Sequence, residues 1–262
     1  MSGLPDVLAR IVARRRERLG VAAGTVVLEA VAPDPGRFDL AHPFLGALAA
    51  RRGRAVIAEV KMGSPRLGSL HGRVDPLAQA KSYAAHGAAA LSVVVEPDFF
   101  HGDWELLAAC REASGLPAIA KDFVVSPAQL DAARAAGAAA ILLVAALYTP
   151  AELVRLGAAA RRRGLVPLVE THAPEEVAKL AGAEWELVGV NNRDLRTFEV
   201  DLARSLALAP ALPAGALRVA ESGIRSAAEV ARLAAGGFDA FLIGESLLLA
   251  PDPGALLAEL SG

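Results

Sequence analysis

The sequence predicts an α/β fold: a single (β/α)8 TIM barrel with an extra N-terminal helical segment. Three observations carry that expectation. From residue 55 onward, short β-rich apolar runs alternate with Ala-rich amphipathic stretches; the runs number eight; and proline and glycine fall between them where helices should start and stop. A length of 262 residues suits one undivided α/β barrel, and a 54% apolar composition can fill one large core. The chain therefore reads as one domain, 1–262, with 1–54 an N-terminal extension and 55–262 the barrel.

In chain order, the first element is the basic segment LPDVLARIVARRRERLG, which places Leu4, Val7, Leu8, Ile11 and Val12 on one helical stripe. It lacks the apolar core and small-residue cleavage site of a secretory signal, so it reads as a helix docked on the barrel. Strands are expected at 55–61, 89–95, 117–121, 139–144, 165–170, 186–190, 217–221 and 239–243. Their apolar runs are continuous, as in all-parallel sheets covered by helices on one side and filled by side chains on the other. Helices should begin at Asp75-Pro76, Ser126-Pro127, Thr149-Pro150, Ala173-Pro174 and Asp252-Pro253, where proline suits the first turn and most preceding residues can cap it. Gly87, Gly137, Gly164, Gly182 and Gly236 fall where helices should stop. A doubly wound open sheet would usually carry a GxGxxG turn after its first strand, and the sequence has none.

A formal charge of -2 supplies no basic field for a polyanion, so the expected partner is a small molecule and not nucleic acid. The one cysteine, Cys110, excludes a disulfide framework and CxxC metal sites, which fits a reducing cytoplasm. No run of about 18 consecutive apolar residues occurs, so no membrane span is expected. The five histidines are scattered, and no metal site is expected; only His172 falls near the strand ends, and it reads as structural.

In such barrels the active site lies at the carboxyl ends of the strands, so a charged residue ending an apolar run is a site candidate. Glu59 and Lys61 end the first strand, Lys121 the third, Glu170 the fifth, Asn191 and Asn192 the sixth, and Glu221 the seventh. Of the 27 Lys and Arg residues only four are lysines, yet Lys61 and Lys121 both end strands. Lysine is the compact cation whose pKa falls on burial, so proton transfer is a reason to keep it; neighbouring carboxylates act the other way. Lys81 and Lys179 fall in helices and are expected to be solvated. Phosphate binding is suggested by Glu221-Ser222-Gly223 after the seventh strand and by Gly244-Glu245-Ser246 after the eighth, leading into a short extra helix, with Ser64 adding a hydroxyl from the first loop.

At these residues the chain resembles the indole-3-glycerol phosphate synthase family. The resemblance covers nearly the whole chain and rests on IAEVKMGSPRLG, KDF, LVETH, VGVNNRDL, VAESGI and FLIGES in that order. It implies conversion of 1-(o-carboxyphenylamino)-1-deoxyribulose 5-phosphate to indole-3-glycerol phosphate, carbon dioxide and water, with no cofactor, by a monomer or weak homodimer. It also implies Lys121 as general acid, Glu170 as base, Lys61 as partner of the aryl carboxylate with help from Arg193, and Glu59, Asn191 and Glu221 as orienting groups. Some accounts of the family give Lys61 an acid role instead, and the sequence does not choose. By the same resemblance Phe100, Phe123, Leu142 and Leu195 line an aryl pocket, while Ser64, Ser222, Gly223, Gly244 and Glu245 surround the phosphate.

The chain departs from the family at Met62-Gly63, where another basic residue commonly follows Lys61, and at Arg66-Leu67-Gly68, where Ser-Lys-Gly is common. That first loop is expected to close over the substrate with altered charge and mobility. Alternatives are another phosphate-binding barrel enzyme of tryptophan or histidine biosynthesis, or a non-catalytic barrel. The isomerase of the tryptophan pathway uses a Cys where this chain has Glu59 and Lys61, and a non-catalytic barrel should have lost the acid and base.

Overall fold

The computed structural model describes residues 6–24, 26–28 and 33–262; Leu4 of the expected stripe lies outside them. The barrel strands are β1 (Ala55–Val60), β2 (Ala90–Val94), β3 (Ala118–Lys121), β4 (Ala140–Val144), β5 (Val166–Thr171), β6 (Leu187–Asn191), β7 (Leu217–Glu221) and β8 (Ala240–Ile243). Each coincides with an expected run to within one residue at either end. They pair in parallel, each with its neighbours in sequence, and β8 closes onto β1 through Ala55↔Ala240 to Ala58↔Ile243. After β1 a small antiparallel hairpin pairs Gly63–Ser64 with Gly68–Ser69.

The helices are α1 (Asp6–Arg18), α2 (Pro43–Ala49), α3 (Pro76–Ala85), α4 (Trp104–Ser114), α5 (Pro127–Ala135), α6 (Pro150–Arg162), α7 (Pro174–Ala178), α8 (Ala203–Leu208), α9 (Ala227–Ala235), α10 (Glu245–Leu249) and α11 (Pro253–Ser261). All five expected proline starts hold, and Asp75, Ser126, Thr149 and Asp252 accept amide hydrogen bonds as caps. Ala173 cannot cap, and Glu176 of α7 turns back to accept the amide of His172 at 2.7 Å instead.

Gly236 caps the end of α9 as expected, and Gly237 after it takes the left-handed turn at φ +91°. One local expectation needs correction. Lys179 is not solvated: its Nζ donates to the carbonyls of Ala145 at 2.8 Å and Tyr148 at 2.9 Å, tying α7 to the end of β4. Lys81 is exposed, as expected.

Strand side chains alternate between two cores. Ala55, Ile57, Ile119, Leu142, Leu168, Leu187 and Val219 point into the barrel, whose lower end is closed by Phe44, Leu45 and Leu48 of α2. Val56, Ala58, Ala120, Val169, Val188 and Ala220 pack under the helices. Period-two alternation then carries Glu59, Lys61, Lys121, Glu170, Asn191 and Glu221 onto the inward side at the top, because each lies an even number of residues beyond an inward apolar one.

Helix α1 lies over that top rim. Leu8, Ile11 and Val12 are buried, and burial of such side chains contributes about 1.5–3 kcal/mol each. Leu8 and Val12 pack on Val125, flanked by Phe123, Leu147 and Leu195. Arg15 reaches Asp122 at 2.5 Å in a pair that is almost completely buried. Among the described residues no helix is long and apolar enough to cross a membrane.

Candidate active site

The top of the barrel holds a cavity bordered by α1, the β1 hairpin and the ends of the strands. Glu59, Lys61, Ser64, Phe100, Lys121, Phe123, Leu142, Glu170, Asn191, Arg193, Leu195, Ser222, Gly223, Gly244 and Glu245 all border it. Of the strand-end candidates, two do not: Glu221, which lies fully buried just beneath, and Asn192. Asn192 Nδ2 donates to the carbonyls of Glu221 and Ser222, and its Oδ1 accepts from Ser205, so it staples the β7 turn from behind.

The charged residues form one network. Lys61 Nζ donates to Glu59 Oε1 at 2.7 Å. Lys121 Nζ lies 3.1 Å from Glu221 Oε2, 3.5 Å from Glu59 Oε2 and 3.8 Å from Glu170 Oε2. Asn191 donates to Glu170 Oε2 at 3.2 Å and accepts the amide of Arg193, which links the β6 end to the β5 carboxylate. Close approach between strands makes this possible: a Cβ on Gly189 of β6 would sit 2.3 Å from Glu221 Oε1, and one on Gly244 would sit 2.3 Å from Glu59 Oε1.

Proton affinities follow from this crowding. Burial would lower the pKa of Lys121, but Glu221, Glu59 and Glu170 outweigh it and hold the ammonium charged well above the ordinary lysine range. Burial favours neutral Glu59, yet Lys61 and Lys121 drive it down to about 2. Glu221 goes the other way: burial, joined by the neighbouring Glu170 and opposed by Lys121, pushes it up to about 8. Burial also works against ionised Glu170, but Lys121 and His172 prevail and keep it below the usual range. The adjoining pair thus holds a proton on Glu221 and a charge on Glu170. Glu221 Oε1 is buried without a hydrogen-bond partner, and the proton held by this carboxyl is shared with Glu170.

The β1 hairpin and the β8 end meet at Glu245, which accepts Arg66 at 2.7 Å and Arg193 at 3.3 Å. Ser222 adopts φ +67° and Gly223 φ +83°, turning the chain sharply after β7. Helix α10 starts directly after Gly244, as expected, with no side chain capping its first amides. The rings of Phe100 and Phe123 lie 6.2 Å apart on one wall, beside Leu142 and Leu195.

Sequence reasoning passed over several supporting residues. Glu96, fully buried just beyond β2, accepts the amides of Asp98, Phe99 and Phe100 and so sets the Phe100 turn. An acid ending the run VVVE was the same signal that marked Glu170. Asp122, next to Lys121, is held by Arg15 and by Gln129 at 2.7 Å. Val7, Leu8 and Ile11 of α1 themselves border the cavity.

Fold and site define the class as a (β/α)8-barrel enzyme with paired lysines and carboxylates at its strand ends. A sequence model of the family described as indole-3-glycerol phosphate synthase matches residues 8–260. Proteins named indole-3-glycerol phosphate synthase are 44% identical in Azoarcus sp. (99% of this chain, 100% of the relative), 43% in Rhodopirellula baltica (96% and 96%) and 41% in Albidiferax ferrireducens (98% and 98%). The chain belongs to the indole-3-glycerol phosphate synthase family. A solved structure of thiamine phosphate pyrophosphorylase from Pyrococcus furiosus is also similar, with a TM-score of 0.56 over 80% of this chain and 95% of that one; at 16% identity it speaks to the fold alone.

Proposed function

We propose the following division of labour for the family reaction, in which 1-(o-carboxyphenylamino)-1-deoxyribulose 5-phosphate is closed, decarboxylated and dehydrated to indole-3-glycerol phosphate. As a family member the chain is a carboxy-lyase of tryptophan biosynthesis. Lys121 donates the proton to the ribulose carbonyl as the aryl carbon attacks it. Its charged state and its three carboxylate neighbours support that role, since a general acid must carry its proton and be able to regain one. Lys61, salt-bridged to Glu59 and bordering the cavity, pairs with the aryl carboxylate until carbon dioxide leaves, with Arg193 beside it. Glu170, ionised and oriented by Asn191, takes the proton in dehydration, while Lys121, recharged after ring closure, protonates the hydroxyl that leaves as water. Phe100, Phe123, Leu142 and Leu195 hold the aryl ring, and the phosphate takes Ser64, Ser222, Gly223, Gly244 and the start of α10 at Glu245. We place this activity in the cytoplasm, in a monomer or weak homodimer.

The observation that carries the reading is Lys121 among Glu59, Glu170 and Glu221 at the floor of a cavity with an aromatic wall. The test is turnover of the carboxyphenylamino substrate by purified protein without added metal, followed by indole fluorescence. Product should appear at a rate set by enzyme concentration; its absence from folded protein would overturn the reading.

A further inference from the structure

His172 stands just outside the cavity, behind Glu170. Its ring is 7% exposed, with Nε2 3.4 Å from Glu170 Oε1 and Nδ1 3.2 Å from Glu176 Oε2. A neutral imidazole has one N–H, so it could satisfy one carboxylate while presenting a lone pair to the other. An imidazolium is attracted to both: Nδ1 lies within hydrogen-bond reach of Glu176, while Nε2, buried without a hydrogen-bond partner, faces Glu170 as a charge. The ring sits at the end of β5, two residues beyond Glu170, and is anchored from the far side by Glu176, which also accepts the backbone amide of His172 at 2.7 Å. The uncapped start of α7 at Ala173 leaves Glu176 available for this task.

We propose that His172 is a positioning residue for Glu170: a charged imidazolium, anchored on Glu176 and set against Glu170, that holds the general base in place and keeps it ionised. The inference rests on Glu170 being that base. His172 borders no part of the cavity, so it acts through Glu170 and not on substrate. The groups facing it are Glu170 on β5, Glu176 on α7 and Glu221 on β7, while Arg204 of α8 donates to its carbonyl at 3.2 Å and turns its charge toward Asp194. Burial opposes the imidazolium, but these carboxylates prevail and raise its pKa above the ordinary histidine value. Lys121 alone must otherwise restrain both Glu170 and Glu221, since each lies within 4 Å of its Nζ.

The sign of the effect is definite. Removing a cation from beside Glu170 makes its proton harder to release, so the acidic limb of the kcat profile should move to higher pH. In His172→Gln we expect kcat to fall about tenfold on the acidic limb and less than about twofold on the plateau, with KM little changed. Glu176→Gln should shift the limb in the same direction by less. A merely structural ring would lower activity equally at all pH values, and overlaid limbs in folded variants would overturn the proposal. A second measurement uses the intact protein. With 15N-histidine labelling, the imidazole resonance missing from His172→Gln should remain protonated to higher pH than an exposed histidine; ordinary or earlier titration would also overturn the proposal. Wild-type turnover and its loss in Glu170→Gln test the underlying reading separately, because a Glu170→Gln variant that retained turnover would remove the base whatever His172 does.

Discussion

The two lysines of the rim occupy opposite electrostatic settings. Around β1, Glu59 lies between Lys61 and Lys121, so a single carboxylate answers two ammonium groups and stays charged down to about 2. Across the barrel, Lys121 faces Glu170 and Glu221 together, and acid outnumbers base until Glu221 holds a proton up to about 8. Fixed charge therefore sits on the β1 side, where an anionic substituent can be held. The shared proton sits on the β5 and β7 side beside Lys121, the side to which the proposed mechanism gives carbonyl protonation and proton removal. The lesson is that stoichiometry of charge, more than the identity of any residue, separates binding from proton transfer in this site.

The largest test of this asymmetry is removal of its proton-handling members. Lys121→Ala and Glu170→Gln should each lower kcat by about 10²- to 10⁴-fold, measured by indole fluorescence at saturating substrate, and near-normal turnover would end the assignment. Glu221 comes next. If it holds a proton, Glu221→Gln keeps the shape and the donor and should lose less than about tenfold, whereas Glu221→Ala opens a buried void and should lose clearly more. Equal losses would say that Glu221 works as a carboxylate.

The same asymmetry sets opposite pH limbs of stability. Folded Glu59 is more acidic than in the unfolded chain, so its contribution is complete above the usual glutamate range and disappears as pH falls toward about 2. Folded Glu221 is less acidic, so its contribution is complete below that range and disappears as pH rises toward about 8. Melting curves across pH should accordingly flatten at the acid end in Glu59→Gln and at the alkaline end in Glu221→Gln, by a few degrees each. Matching profiles in the two variants would break the comparison. The smallest effect is expected at the phosphate end. Ser222→Ala should raise KM by about two- to tenfold with kcat nearly unchanged, because uniform binding is lost, and a fall in kcat alone would place Ser222 with the reacting atoms.

Much of this site was legible before folding was considered. Charged residues that end apolar runs are costly to bury without a partner, and Glu59, Lys61, Lys121, Glu170 and Glu221 stand out for that reason. Gly244-Glu245-Ser246 announced a short helix, and α10 begins there. Other features were hidden. Asn192 carries the same strand-end signal as Asn191, but a one-residue step reverses the face, so one borders the cavity and the other staples the β7 turn. Lys179 looked like a solvated helical lysine because its carbonyl partners, Ala145 and Tyr148, lie more than thirty residues away in the chain. His172 gave no pairing signal either, since the face that meets Glu170 exists only once β5 has turned into α7.

By itself the sequence determined the barrel, its eight strands and the set of residues at its mouth, because alternation of apolar runs with capped helices is a local pattern and strand ends can be counted along the chain. Tertiary structure alone decided how the charges share protons. Lysine's readiness to lose its proton on burial suggested a labile Lys121, yet the folded site draws three carboxylates from β1, β5 and β7 around its Nζ and makes it a firmly charged acid. A pKa depends on the distances and burial of every neighbour at once, and those neighbours come from strands spread over about 160 residues of chain and meet only when the barrel closes.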